Sequence, residues 1–205
     1  MNNLNNKPIS LGVFDINCNE YMKYQYLLIN SGTILYLEDR LKAFKPLIMA
    51  CIRDYGLRHY DRLLKSYIYL TVKSEYQRGG MGFNRPGWHI DDFGTDGQSY
   101  IWSNTQPTVF NDGPFDISDD EHKSMVEMEQ QANPANDYCF PDKTLVRMGR
   151  SVHKVGLYIE GHRIFAKITF SREKFNLLGN SHNYLINYDW DMQERKKERN
   201  VPCSN

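Results

Sequence analysis

Apolar residues recur every three to four positions from Ile34 through Leu37, Leu41, Phe44, Leu47/Ile48, Cys51/Ile52 and Tyr55. This spacing predicts an amphipathic helix, kinked or broken near Pro46 and stopped by Gly56. Tyr60, Leu63 and Leu64 predict a shorter helical segment behind it, and residues 9–16 read as an edge strand ahead of it. The pattern changes after Lys65. Residues 66–73, Ser-Tyr-Ile-Tyr-Leu-Thr-Val-Lys, are rich in β-branched and aromatic side chains and predict a strand. Gly79-Gly80 and Pro86-Gly87 punctuate the chain, and short strands are predicted at 98–104, 108–110 and 144–148. Ser118-Asp-Asp-Glu121 reads as a capping box opening a polar helix to about Ala132, with Met125 and Met128 suited to lying across a sheet. Two β-rich runs, 153–159 and 163–171, flank a turn containing Gly161 and predict a hairpin. The remainder is polar, with an aromatic patch from Tyr184 to Trp190 and a charged run at 194–199 that reads as a solvated face. Helices followed by many short strands predict an α+β fold with a β-sandwich or barrel core.

Composition narrows the picture. The 205 residues carry 25 basic and 25 acidic side chains, so no global basic field advertises nucleic acid or an anionic membrane, although a local groove stays open. With no repeat or linker to divide it, the chain is expected to form one domain over 1–205. Within it, 1–65 would be helical support, 66–171 a β core with a helical insert near 118–132, and 172–205 a C-terminal extension. Fourteen Tyr and ten Phe favour strands and amphipathic pocket walls. Cys18, Cys51, Cys139 and Cys203 are far apart and lack a Cys-x-x-Cys pair, so they read as reduced thiols. The first residues hold no apolar signal core, and no apolar run is long enough to span a bilayer. The expectation is a soluble, cytoplasmic protein with no membrane partner.

Candidate chemistry lies in Arg85-Pro-Gly-Trp-His-Ile-Asp-Asp-Phe-Gly94. On a strand, His89 and Asp91 point to one face and can reach a common metal ion, whereas Asp92 points away. His153, far downstream, is a candidate third ligand. Two histidines and one carboxylate on one side of a metal form the type of site found in non-haem Fe(II) oxygenases. A His-x-Asp pair also arises by chance, and each residue has a plainer reading. His89 could be a polar residue after a Pro-Gly turn, His153 a surface strand residue, and Arg163 a solvated cation like nearby Arg147, Arg150 and Lys167.

Taken together, His89, Asp91, His153 and Arg163 resemble the Fe(II)- and 2-oxoglutarate-dependent dioxygenase superfamily. Its pattern is His-x-Asp, a distal His, and an Arg or Lys roughly ten residues later. The resemblance covers residues 67–171. It implies a double-stranded β-helix (jelly-roll or cupin-like) core with N-terminal supporting helices. It implies His89, Asp91 and His153 as Fe(II) ligands, and Arg163 as the partner of the 2-oxoglutarate carboxylate, which its guanidinium fork suits. It further implies an enzyme that consumes O2 and decarboxylates 2-oxoglutarate to succinate and CO2 while oxidising a substrate. Halogenases of this type replace the carboxylate with a small residue, so Asp91 argues for a hydroxylase or related oxidation.

One position departs from the pattern. Many members carry Ser or Thr two residues after the Arg, where this chain has Phe165. Tyr69 or Tyr100 could supply the missing hydroxyl, and Asn104 and Thr108 could make polar contacts near the keto acid end. Both tyrosines could equally be core aromatics. Trp88, Phe93 and Trp102 are core residues or pocket walls, Arg85 and the 94–97 loop would border the pocket mouth, and His182 is read as structural. Two other readings stand beside the oxygenase: a non-catalytic jelly-roll or cupin-like binding protein, and a metal enzyme that does not use 2-oxoglutarate. A small-molecule or amino-acid-like substrate is favoured, with nucleic acid and peptide left open.

Overall fold

Alternation along the strands explains how the layers form. In the computed structural model, which describes residues 7–78, 87–91, 94–156 and 160–195, nine strands make two antiparallel sheets. The strands are β1 (Ile9–Val13), β2 (Met22–Asn30), β3 (Tyr67–Gln77), β4 (Gln98–Ser103), β5 (Val109–Asn111), β6 (Asp137–Cys139), β7 (Thr144–Arg147), β8 (Val152–Lys154) and β9 (Gly161–Ser171). The large sheet runs β1-β7-β4-β9-β3-β2 and the small one β6-β5-β8. The α+β, sheet-rich class expected from the sequence is present.

On the central strands, odd and even residues serve different faces. Ile68, Leu70 and Val72 of β3, Tyr100 and Trp102 of β4, and Ile164, Ala166, Ile168 and Phe170 of β9 join one apolar core. Helix α1 (Lys45–Leu63) supplies Leu47, Ile48, Cys51 and Tyr55 to it. Asp54 fastens the helix to the sheet, accepting from Tyr100 Oη at 2.8 Å, Arg147 Nη1 at 2.9 Å and Arg58 Nη2 at 3.0 Å. The opposite face of the sheet is polar where it meets the small sheet. Thr71, Lys167, Thr169 and Ser99 are buried there, beside the apolar cluster of Ile101, Phe110, Val146, Met148 and Phe165.

Several sequence expectations need correction. Pro46 does not break the helix; it lies in the first turn of α1, where a missing N–H costs nothing. A short 3-10 turn at Asp39–Phe44 precedes it, and the helix passes Gly56, with its irregularity at His59 (φ −145°, ψ 54°). Helix α2 (Glu121–Gln131) is capped by Asp120, not Ser118: the Asp120 carboxylate accepts from the N–H groups of His122 and Lys123 at 2.9 Å. Among the described residues the two runs do not pair as the predicted hairpin: β8 pairs with β5, and β9 pairs with β3 and β4. The chain leaves the small sheet after His153 and enters the large one before Arg163. Strands β2 and β6 are additions to the predicted set. Among the described residues, Cys18, Cys51 and Cys139 are free thiols, and no helix is long and apolar enough to cross a membrane.

Candidate metal centre

His89 meets β8 through a single antiparallel bridge to His153. Each residue donates its backbone N–H to the other's carbonyl at 3.0 Å. Directly opposed residues send their side chains to the same face, and the two imidazoles stand 4.4 Å apart, centroid to centroid. Asp91, two residues beyond His89, joins them. One potential ligand atom from each of the three lies within 4.8 Å of the others, and His153 Nε2 is 4.0 Å from Asp91 Oδ2. Ligands about 2.1 Å from one ion sit roughly 3–4 Å apart, so only slight closure separates this arrangement from a coordination set.

The backbone orients the rings. His89 Nδ1 is 3.0 Å from the Gly87 carbonyl, and His153 Nδ1 is 2.9 Å from the Ser151 carbonyl. A carbonyl only accepts, so each Nδ1 donates to it, which leaves Nε2 as the ring atom that could reach a metal. Trp88, buried at the start of this segment, packs with Ile90, Ile117, Met128 and Val152 and anchors it.

Beside Asp91 lies Lys167 of β9, 8% exposed. Its Nζ donates to Asp91 Oδ2 at 3.0 Å and to the Tyr26 hydroxyl at 3.1 Å. Burial alone would raise the Asp91 carboxyl. The Lys167 ammonium, followed by His153 and His89, outweighs it and holds the group well below the usual carboxylate range. A cation therefore already sits at the carboxylate, which shows that the site favours positive charge beside Asp91.

The cavity occupies about 120 Å³, room for a small molecule of several heavy atoms when one water needs about 10–15 Å³. Besides the three candidate ligands, its walls include Tyr26, Thr71, Lys73, Thr108, Lys154 and Lys167. Tyr26 has φ +44°, a left-handed conformation unusual for a bulky residue, at an irregularity in β2 pairing. Its N–H donates to Thr71 Oγ1 at 3.0 Å, and its ring meets Phe175 edge-on at 4.9 Å. The neighbouring Gln25 exchanges hydrogen bonds with Ser181 (Gln25 N–H to Ser181 Oγ at 2.9 Å, Ser181 N–H to the Gln25 carbonyl at 2.8 Å). The C-terminal segment thus braces the strained wall.

Of the residues singled out in the sequence, His89, Asp91, His153 and Thr108 line the cavity. Arg163 shares a face of β9 with Lys167 but is not among the lining residues. Its Nε and Nη2 donate to the carbonyls of Thr105 and Gln106 at 3.2 and 3.0 Å. Asn104 bonds the β9 backbone, accepting from Ile164 N–H at 2.8 Å. Tyr69 donates to the Glu173 carbonyl and stacks on Phe175 at 4.2 Å, and burial raises its phenol pKa. Tyr100 faces α1 and bonds Asp54. Trp102 is a core residue donating to the Phe14 and Lys143 carbonyls, and His182 stacks on Tyr188. Arg85, Asp92 and Phe93 lie outside the described residues. Lys167, Tyr26, Thr71, Lys73 and Lys154 were not singled out as site residues. For Lys167 a signal existed: it lies an even number of positions from Arg163 and Phe165, between Ala166 and Ile168 on an otherwise buried strand.

No family model matches the chain, and no curated protein matches it. Among solved structures, it is similar to the crystal structure of EvdO2 from Micromonospora carbonacea var. aurantiaca, at 15% identity and a TM-score of 0.42. The match covers 64% of each chain, so this chain spans about two thirds of that protein's length. What the findings establish is a sheet-rich α+β protein with a His-Asp-His group able to hold a metal ion.

Proposed function

We propose that this protein is an Fe(II)- and 2-oxoglutarate-dependent oxygenase, built on a double-stranded β-helix core, that hydroxylates or otherwise oxidises a small substrate. The observation that carries this reading is the convergence of His89, Asp91 and His153 beside a small cavity, with Lys167 buried beside Asp91. Two neutral imidazoles and one carboxylate suit Fe(II) and leave neighbouring positions for other ligands. Bound iron would supply the redox chemistry that couples O2 reduction and 2-oxoglutarate decarboxylation to substrate oxidation. The chain's own part is orientation and charge. The Gly87 and Ser151 carbonyls fix the rings, and Asp91 fills the position that a halogenase leaves for chloride.

Lys167 suits the co-substrate carboxylate better than Arg163. Arg163 bonds the carbonyls of Thr105 and Gln106, whereas the Lys167 ammonium lies at the cavity wall beside the Tyr26 hydroxyl. A metal on Asp91 would neutralise that carboxylate and release Lys167 to meet an anion. Thr169, two residues after Lys167 and on the same face of β9, stands where the family pattern places a hydroxyl, and it bonds Ser99 Oγ at 2.9 Å.

The reading is tested by succinate formation from 2-oxoglutarate under air with added Fe(II). Turnover should disappear with chelator and fall at least about 100-fold in His89→Ala and His153→Ala, the scale on which loss of binding or catalytic groups acts. Equal succinate formation by wild type and both variants would contradict it. The Lys167–Asp91 pair favours one other reading, a non-catalytic binding protein whose ammonium permanently replaces the metal. Failure of Fe(II), Mn(II) and Zn(II) to bind wild type would select that one.

A further inference from the structure

Tyr26 is held in a conformation that costs energy, and two other parts of the chain hold it. Its φ of +44° puts a bulky residue in the left-handed region, where the register between β2 and β3 shifts. Such strain persists only when the surroundings over-determine it. Thr71 of β3 accepts the Tyr26 N–H at 3.0 Å. The C-terminal segment grips the same stretch of β2. Ser181 exchanges hydrogen bonds with Gln25, and the fully buried Asn183 donates through Nδ2 to the Leu28 and Tyr36 carbonyls at 2.7 and 3.2 Å. Phe175 stacks on Tyr69 at 4.2 Å and meets the Tyr26 ring at 4.9 Å and close to a right angle.

The residue so held reaches the candidate metal centre. Lys167 Nζ donates to the Tyr26 hydroxyl at 3.1 Å and to Asp91 Oδ2 at 3.0 Å, so one ammonium bridges the two side chains. A metal on Asp91 would take one of these acceptors and leave the other. A buried ammonium gains more from an acceptor when a second one is withdrawn, so the Tyr26 bond is worth more with metal bound than without it.

Resting on the metal-site reading above, we propose that Tyr26 is a positioning residue. Its hydroxyl retains the Lys167 ammonium at the cavity wall when a metal ion takes Asp91, and residues 175–183 fix the hydroxyl in that place. Tyr26 thereby favours metal binding without touching the metal, and its effect passes entirely through Lys167.

The Zn(II) affinity of the full chain, measured by calorimetry without 2-oxoglutarate, reads this role through a double-mutant cycle. Tyr26→Phe keeps the ring and removes the hydroxyl, and it should weaken Zn(II) binding about five- to tenfold, the scale of one net hydrogen bond. In a Lys167→Met background, or Lys167→Gln where the first does not fold, the same change should shift the Kd by less than about twofold. Ser181→Ala, which removes the acceptor for the Gln25 N–H, should weaken binding in the same direction and again only when Lys167 is present. Equal weakening by Tyr26→Phe in both backgrounds is what a merely structural role produces, and it overturns the inference. So does an unchanged Kd in Tyr26→Phe, and an unchanged Kd in Ser181→Ala overturns the part given to the C-terminal segment. Zn(II) binding without this coupling fails the inference alone, whereas no Zn(II) binding by wild type fails the metal-site reading with it.

Discussion

Lys167 Nζ lies 3.0 Å from Asp91 Oδ2 and joins the large sheet to the segment carrying two of the three metal-ligand candidates. A metal ion bound by this group would therefore compete with the Lys167 ammonium for one carboxylate. Lys167→Met should destabilise the metal-free protein by about 2–3 kcal/mol, below the usual cost of breaking a buried pair because a quarter of the Asp91 side chain remains accessible. Metal should offset much of that loss. Thermal unfolding with and without Zn(II) checks this, and the metal-induced rise in Tm should be larger in the variant than in wild type.

The second cation has a different task. Arg163 is 2% exposed and bonds two consecutive carbonyls in the turn that leads to Thr108. Arg163→Ala should cost about 2–3 kcal/mol, the scale of hydrogen bonds to a charged group, measured by urea unfolding. Its metal affinity should remain within about twofold of wild type, because the ligand set is fixed through Gly87 and Ser151. A selective loss of 2-oxoglutarate binding by correctly folded Arg163→Lys would return the co-substrate role to Arg163.

Gly156 presses on the same turn. A Cβ there would lie 2.6 Å from the Pro107 carbonyl oxygen, a backbone atom that cannot rotate away. Gly156→Ala should therefore destabilise by about 1–3 kcal/mol and displace the 105–108 turn relative to β8. Urea unfolding measures the first effect, and loss of metal affinity beside an unchanged Asp54 network would register the second.

Asp54 predicts a pH dependence away from the site. Burial would raise its carboxyl, but Tyr100, Arg147 and Arg58 together hold it below its ordinary value. A depressed carboxyl stabilises the fold fully above its unfolded pKa near 3.9, and that contribution disappears as pH falls through the lower folded value. The stability gap between wild type and Asp54→Asn should be constant from about pH 5 to 7 and narrow below about pH 4. Urea unfolding across this range gives the comparison.

The His89, Asp91 and His153 group was legible from the His-x-Asp spacing, although His89 sits in an isolated bridge and Asp91 in a turn, not on the strand that the spacing suggested. The hairpin was misread because two β-rich runs around a glycine look the same whether they pair or cross between sheets. Arg163 was singled out for its spacing from His153, whereas Lys167, read among solvated cations, is buried and lines the cavity. Strand β2 was invisible for another reason. Its alternation shifts at the Gln25–Tyr26 irregularity, after which Leu27, Leu28 and Ile29 are all buried. Pro46 and Gly56 are ordinary helix punctuators, but the first fell in the opening turn and tertiary packing carried α1 past the second.

The central claim is tested most directly by mixing protein with Fe(II) and 2-oxoglutarate under anaerobic conditions and recording the visible spectrum. The account predicts a weak charge-transfer band in wild type, lost in His89→Ala and lost or strongly weakened in Lys167→Met. Absence of the band in metal-loaded wild type, or its survival in both variants, would contradict the account.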